Sequence, residues 1–104
     1  MEYKVVVTID AEKDLDNFIK YLIVEKGNLQ AAKNVLDDYE STIKSLRHMA
    51  ESIKLCDNPR LYQLNYRRIN FMHHRYFMLY RIENNVVFID SIFHELQDYE
   101  NKIH

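Results

Sequence analysis

The first residues alternate. Tyr3, Val5, Val7 and Ile9 are apolar and are separated by Lys4, Val6 and Thr8, a period of two with β-branched side chains that predicts a strand over Tyr3–Ile9. Val6 adds apolarity to the second face, which places this strand in the interior of a sheet. The period then lengthens. Leu15, Phe18, Ile19, Leu22 and Ile23 follow at helical spacing. Asp10 stands where an N-cap is needed, and Glu12, Asp14 and Asp16 suit the positive end of a helix. Gly27 is the only glycine, at the position where the helix needs a left-handed residue to end.

A second helix begins with Asn28 as its cap. Leu29, Ala32, Leu36, Tyr39, Ile43, Leu46, Ala50 and Ile53 repeat at alternating steps of three and four, a heptad-like seam. Because strands follow it directly, an antiparallel helix pair over one sheet face fits this seam better than a free coiled coil. Asp57-Asn58-Pro59 stops the helical region. A short strand is expected over Leu61–Leu64 and another over Tyr66–Met72, with a turn or the start of the next strand at His73-His74. A strong hairpin follows, with strands Arg75–Ile82 and Val86–Phe93 joined at Glu83-Asn84-Asn85. Leu96, Tyr99 and Ile103 are spaced for a short closing helix. The order is β-α-α-β-β-β in one α+β domain over residues 1–104, without internal repeats.

Composition narrows the class. A chain of 104 residues with 47% apolar and 29% charged residues suits one soluble globular domain. One cysteine excludes an internal disulfide and a cysteine-rich zinc module. No apolar run approaches the roughly 18 residues that span a bilayer, and the acidic N-terminus lacks a signal-peptide pattern. The expectation is a cytoplasmic protein that does not engage membranes.

Charge is segregated. Between Asn58 and Ile82 lie Arg60, Arg67, Arg68, Arg75 and Arg81, with no Lys, Asp or Glu. That stretch is +5, while the nine remaining bases against 16 acids leave the rest at −7. A basic segment in an acidic chain suggests an anionic partner. The plainer alternative is that these arginines lie along a sheet face and pair with helix carboxylates.

The strings Tyr3–Leu15, His74–Ile82 and Val86–His94, in this order and spacing, resemble the RelE/ParE superfamily of type II toxin–antitoxin toxins over essentially the whole chain. The resemblance implies a RelE-like fold, with a helix hairpin on one face of an antiparallel sheet and a basic opposite face. It also implies a cognate antitoxin whose acidic or amphipathic segment covers the arginines. Two activities share this fold. RelE- and YoeB-like members cut mRNA on the ribosome, whereas ParE-like members poison DNA gyrase without being nucleases, so the choice rests on site residues.

Metal-free RNA cleavage needs a base, cationic donors and an acid close together. Alignment with RelE puts Arg68 on one catalytic lysine position and Asn70 on the other. Phe77 and Glu95 fall on its two arginine positions, and Arg75 could serve through a two-residue slip that keeps the strand face. Arg67-Arg68-Ile69, His74-Arg75 and His94 match YoeB better, although Glu95 replaces the tyrosine after its histidine and its general-base glutamate has no clear equivalent. The resemblance thus implies Arg68, Arg75 and His94 as catalytic candidates and Arg67 and Arg81 as RNA- or phosphate-binding ones. No metal or other cofactor is called for. The first expectation is a ribosome-dependent mRNA endonuclease. The alternatives are a gyrase inhibitor and a divergent inactive interaction domain, and the net acidity outside the basic segment argues mildly against docking on a ribosome.

His73 and His74 are neighbours and cannot share one metal from a strand. There is no His-Glu-x-x-His, Cys-x-x-Cys or glycine-rich phosphate loop. Cys56 reads as a small packed hydrophobe, and the helix carboxylates read as solvated.

Overall fold

A computed structural model describes residues 2–97. Strand β1 (Lys4–Val7) leads into helix α1 (Ile9–Lys20), which loosens into a π-helical turn at Tyr21–Glu25. Helix α2 (Leu29–Met49) runs into a 3₁₀ turn at Ala50–Ser52, and a short helix α3 (Pro59–Gln63) precedes β2 (Arg67–Asn70), β3 (Tyr76–Glu83) and β4 (Val86–His94). The sheet order is β1-β4-β3-β2. Strands β2, β3 and β4 are antiparallel, as expected. Strand β1 joins β4 in parallel, with Lys4 opposite Val86 and Val7 opposite Ile89, so the sheet as a whole is mixed. The α+β class with a helix hairpin on the sheet holds.

Several local expectations are corrected. Helix α1 starts earlier than Asp10, because Thr8 is extended (φ −69°, ψ 162°) and its side chain accepts from Ala11 N–H. Asp10 becomes a first-turn acid, and Ile9 is left exposed on the helix. Strand β1 is an edge strand, not an interior one; Val5 and Val7 pack on the helix-side core, and Val6 on the other face is half-buried. The Leu61–Leu64 strand is instead α3, because the Asn58 side chain accepts from Arg60 and Leu61 N–H and Pro59 fills the first helical position. Of the closing helix, Leu96 lies exposed in a turn, and Tyr99 and Ile103 fall outside the described residues.

The end of the hairpin is as read. Gly27 is left-handed (φ 59°), and Asn28 caps α2 by accepting from Ala31 N–H at 2.9 Å. The α2 seam holds at most of its positions: Ala32, Leu46 and Ala50 are buried and Tyr39, Ile43 and Ile53 pack against the core, while Leu29 and Leu36 are exposed and Val35, Asp38 and Thr42 are buried beside the seam.

Two apolar cores result. The larger joins the helices to one sheet face through Leu15, Val35, Leu46, Met78, Tyr80, Val87, Ile89 and Ile92. The smaller lies on the opposite face, where Leu61 of α3 meets Phe77, Leu79 and Phe93, with Cys56 and Tyr66 at its margin. The face expected to be simply basic therefore carries its own small core. Among the described residues, no helix is long and apolar enough to cross a membrane.

Candidate functional site

One irregularity decides where the candidate residues lie. Strands β3 and β4 pair regularly from Glu83–Val86 to Tyr80–Ile89, but Leu79 then faces Ser91, so Asp90 is an extra residue in β4. Strict alternation would put His94 on the face of Phe88 and Asp90, which is also the face of Phe77 and Leu79. The bulge reverses the parity. Ile92 turns into the helix-side core, Phe93 into the small core, and His94 comes opposite Tyr76 on the helix side. The His94 ring stands edge-on to Tyr76 (centroids 5.1 Å), which in turn meets Phe18 of α1 (4.9 Å). Its Nδ1 accepts from Leu96 N–H at 3.1 Å, and its backbone N–H donates to Gln97 Oε1 at 2.8 Å.

Arg68 lies on the other face. It is opposite Leu79 in the β2–β3 ladder, its guanidinium sits 3.8 Å from the centre of the Phe77 ring, and its Nε donates to Asn70 Oδ1. Arg75 is exposed just before β3, and its carbonyl accepts from Glu95 N–H on the rung after Tyr76–His94. The structure thus separates Arg68 from His94 by the thickness of the sheet.

The other two arginines are engaged in the fold. Arg67 and Tyr80 are ladder partners, and both reach the C-terminal end of α2. Tyr80 Oη donates to Ala50 O at 2.8 Å, while Arg67 Nη1 donates to the carbonyls of Glu51 and Ile53. These carbonyls lie at and just past the C-terminal end of the helix, its negative pole. Arg81 donates through Nε to Asp90 Oδ2 (2.8 Å) and through Nη1 to Glu83 Oε1 (2.6 Å), with its guanidinium 4.6 Å from the Phe88 ring centre. Tyr66 completes this group, its hydroxyl donating to the same Asp90 Oδ2 at 2.8 Å. Burial, then the Asp90 hydrogen bond, pushes the Tyr66 phenol up to about 12.

Sequence reasoning missed a carboxylate. Asp38, in the middle of α2, is 4% exposed. Its oxygens accept from Met72 N–H (3.1 Å), His73 N–H (2.8 Å) and His74 Nδ1 (2.7 Å), tying the β2–β3 loop to the helix. Burial alone would push Asp38 up, but these hydrogen bonds, led by that from His74, outweigh it and hold the carboxyl below its ordinary value. The signal was present in the spacing: Val35, Asp38 and Thr42 share one helix stripe at steps of three and four. A second carboxylate, Asp14 of α1, accepts from Ile92 N–H at 3.0 Å, on the stretch of β4 beyond the reach of β1. Among the described residues, no group of three or more His, Cys, Asp or Glu could hold a metal ion.

The profile of the ParE toxin family, described as ParE toxin of type II toxin-antitoxin system, parDE, matches residues 5–99. The chain belongs to this family. It is a toxin of a type II toxin–antitoxin module, and an antitoxin protein is its partner. A solved structure titled as the chromosomal ParDE TA system from P. aeruginosa superimposes with a TM-score of 0.72 over 89% of this chain and 96% of that one, at 18% identity, which shows the shared fold. No curated protein sequence matches the chain.

Proposed function

We propose that this toxin acts as a ParE-like inhibitor of DNA gyrase in the cytoplasm, by binding and without a chemical step of its own. The observation that carries this reading is the placement of His94 and Arg68 on opposite faces of the sheet. Cleavage of RNA without a metal requires an acid and a cationic donor acting on one phosphate. A proton donor on one face cannot serve a phosphate held by an arginine on the other. Of the other candidate cations, Arg67 and Arg81 have their donors directed into the helix end and the Asp90–Glu83 carboxylates, and Arg75 is exposed just before β3. Membership in the ParE toxin family points the same way, so the gyrase alternative is better supported than the mRNA endonuclease expected from the sequence.

The test is a supercoiling assay with purified gyrase beside a map of mRNA 5′ ends after induced expression. The proposal expects blocked supercoiling and unchanged mRNA ends. New mRNA ends that disappear in His94→Ala or Arg68→Ala would restore the endonuclease reading.

A further inference from the structure

The two edges of the sheet are not alike. At β2, Leu55 bridges Arg67 and Cys56 N–H donates to Tyr66 O, so the chain itself covers part of that edge. Strand β1 forms the other edge. Its Lys4 N–H donates to Asn85 O and its Thr8 N–H to Ile89 O, so the even-numbered residues bond inward to β4. The odd-numbered residues therefore turn their main chain outward. Tyr3 N–H donates to Arg47 O at the end of α2. The N–H and C=O groups of Val5 and Val7 meet no hydrogen-bond partner among the described residues. Helix α1 leaves the strand at Thr8 and packs against β4, inward of this edge.

We infer that two copies of the chain pair along this edge, β1 antiparallel to β1, so that their four-stranded sheets join into one with both helix hairpins on the same face. The inference does not depend on the target of the toxin. Three observations carry it. First, the open groups complement themselves. With Val5 opposite Val7 of the second copy and Val6 on the two-fold axis, both N–H and both C=O groups of each copy find partners in two hydrogen-bonded pairs. Second, the side chains suit this register. Val6 is half-buried on the face away from the helices and lies beside Phe88. The axis brings the two Val6 side chains together and joins the two Val6–Phe88 pairs into one apolar stripe. Lys4 is the one charged residue of the strand, and it comes opposite Thr8, not opposite a second Lys4. The strand has no proline to block pairing, and only its short length blunts the edge. Third, charge is divided between the two ends of β1. Lys4 and Arg47 stand at the N-terminal end against Glu2, while Asp10 and Glu12 of the first turn of α1 stand at the C-terminal end. Antiparallel pairing places the basic end of each copy beside the acidic end of the other. Parallel pairing would place like ends together.

The experiment is sedimentation of the purified full chain over a series of concentrations, with hydrogen exchange read at single amides. A short ladder with a narrow apolar stripe is a small interface, so a dimer with Kd on the order of 10 µM is expected. The Val5 and Val7 amides are expected to gain protection as the concentration rises through that value. Val6→Lys sets two like charges on the axis and is expected to raise Kd about tenfold or more, with circular dichroism as the folding control. Lys4→Glu and Asp10→Lys are each expected to weaken the dimer, and their combination to recover part of the loss. A wild type that stays monomeric throughout the series overturns the inference. So do Val5 and Val7 amides whose exchange does not change with concentration, and a dimer that a folded Val6→Lys leaves as tight as before. Protection of these amides that appears only when the antitoxin is added assigns the edge to that protein and also overturns the inference.

Discussion

The buried Asp38 carboxylate of α2 accepts a 2.7 Å hydrogen bond from His74 and two more from the main chain at Met72 and His73, so one helix side chain holds the whole β2–β3 loop. Removing it leaves three donors unmatched near the protein interior. Asp38→Ala is expected to cost about 3 kcal/mol, in the range for breaking a buried charged network. For a domain of this length that is on the order of 10–20 °C in Tm. His74→Ala removes only one of the three donors and is expected to cost about 1–2 kcal/mol. Thermal unfolding of both variants checks the ranking; equal effects would mean that the backbone bonds contribute little.

The same site sets the acid limit of stability. The Asp38 carboxyl is held below its ordinary value in the folded chain, so the folded state binds a proton less readily than the unfolded one there. Its contribution is therefore fully present above the ordinary carboxylate range and is lost as pH falls through that range and below. Denaturant unfolding at a series of pH values from neutral downward is expected to show a fall in stability that is much shallower in Asp38→Asn. An unchanged slope in that variant would place the acid sensitivity elsewhere.

His94 and Arg68 are expected to be dispensable for toxicity. If the toxin works by binding gyrase, His94→Gln and Arg68→Gln should each leave growth arrest and supercoiling inhibition within about threefold of the wild type. A general acid or a phosphate-binding cation would instead be worth about a hundredfold or more. Dose–response curves for supercoiling distinguish the two, and a hundredfold loss in either variant would contradict a purely binding mechanism.

Much of the fold could be read from local pattern, and the site could not. The Gly27 stop and the Asn28 cap were legible because each is a single residue with a backbone role. The β3–β4 hairpin was legible from apolar runs on either side of Asn84-Asn85, with Asn84 left-handed at φ 56°. Helix α3 was misread because Leu61 and Leu64 look like strand residues when the Asn58-Pro59 start is taken only as a stop. The position of His94 was lost for a different reason. Alternation predicts a face only while pairing is regular, and the extra Asp90 reverses every side chain after it. Asp38 escaped because a carboxylate on a helix defaults to solvent, and its partners lie 34 to 36 residues away in the chain.

The bulge residue also anchors an alkaline signature. Tyr66 and Arg81 both reach Asp90 Oδ2, and the Tyr66 phenol is pushed up to about 12. Tyr80, buried and donating to Ala50 O, is raised further still. Groups whose proton is held more tightly when folded give stability that is present below about pH 10, the unfolded phenol range. That stability is lost as pH rises through the folded values. Ultraviolet titration of the phenolates is expected to show a component near 12 that is absent in Tyr66→Phe. If the curve near 12 is the same in that variant, the Asp90 bond is not made in solution.

The helix hairpin gives a prediction in which packing plays no part. Gly27 has φ 59°, and a Cβ built there would meet no atom within 4 Å. An alanine at this position would therefore clash with nothing outside its own backbone. The whole effect of Gly27→Ala must come from forcing an L-residue into the left-handed region, a cost of about 1 kcal/mol. Asparagine tolerates that region better, so Gly27→Asn is expected to recover part of the loss. Denaturant midpoints for the two variants, read at unchanged m-value, decide the point. Should alanine prove as stable as glycine, the hairpin adopts a different turn in solution from the one seen between Glu25 and Leu29.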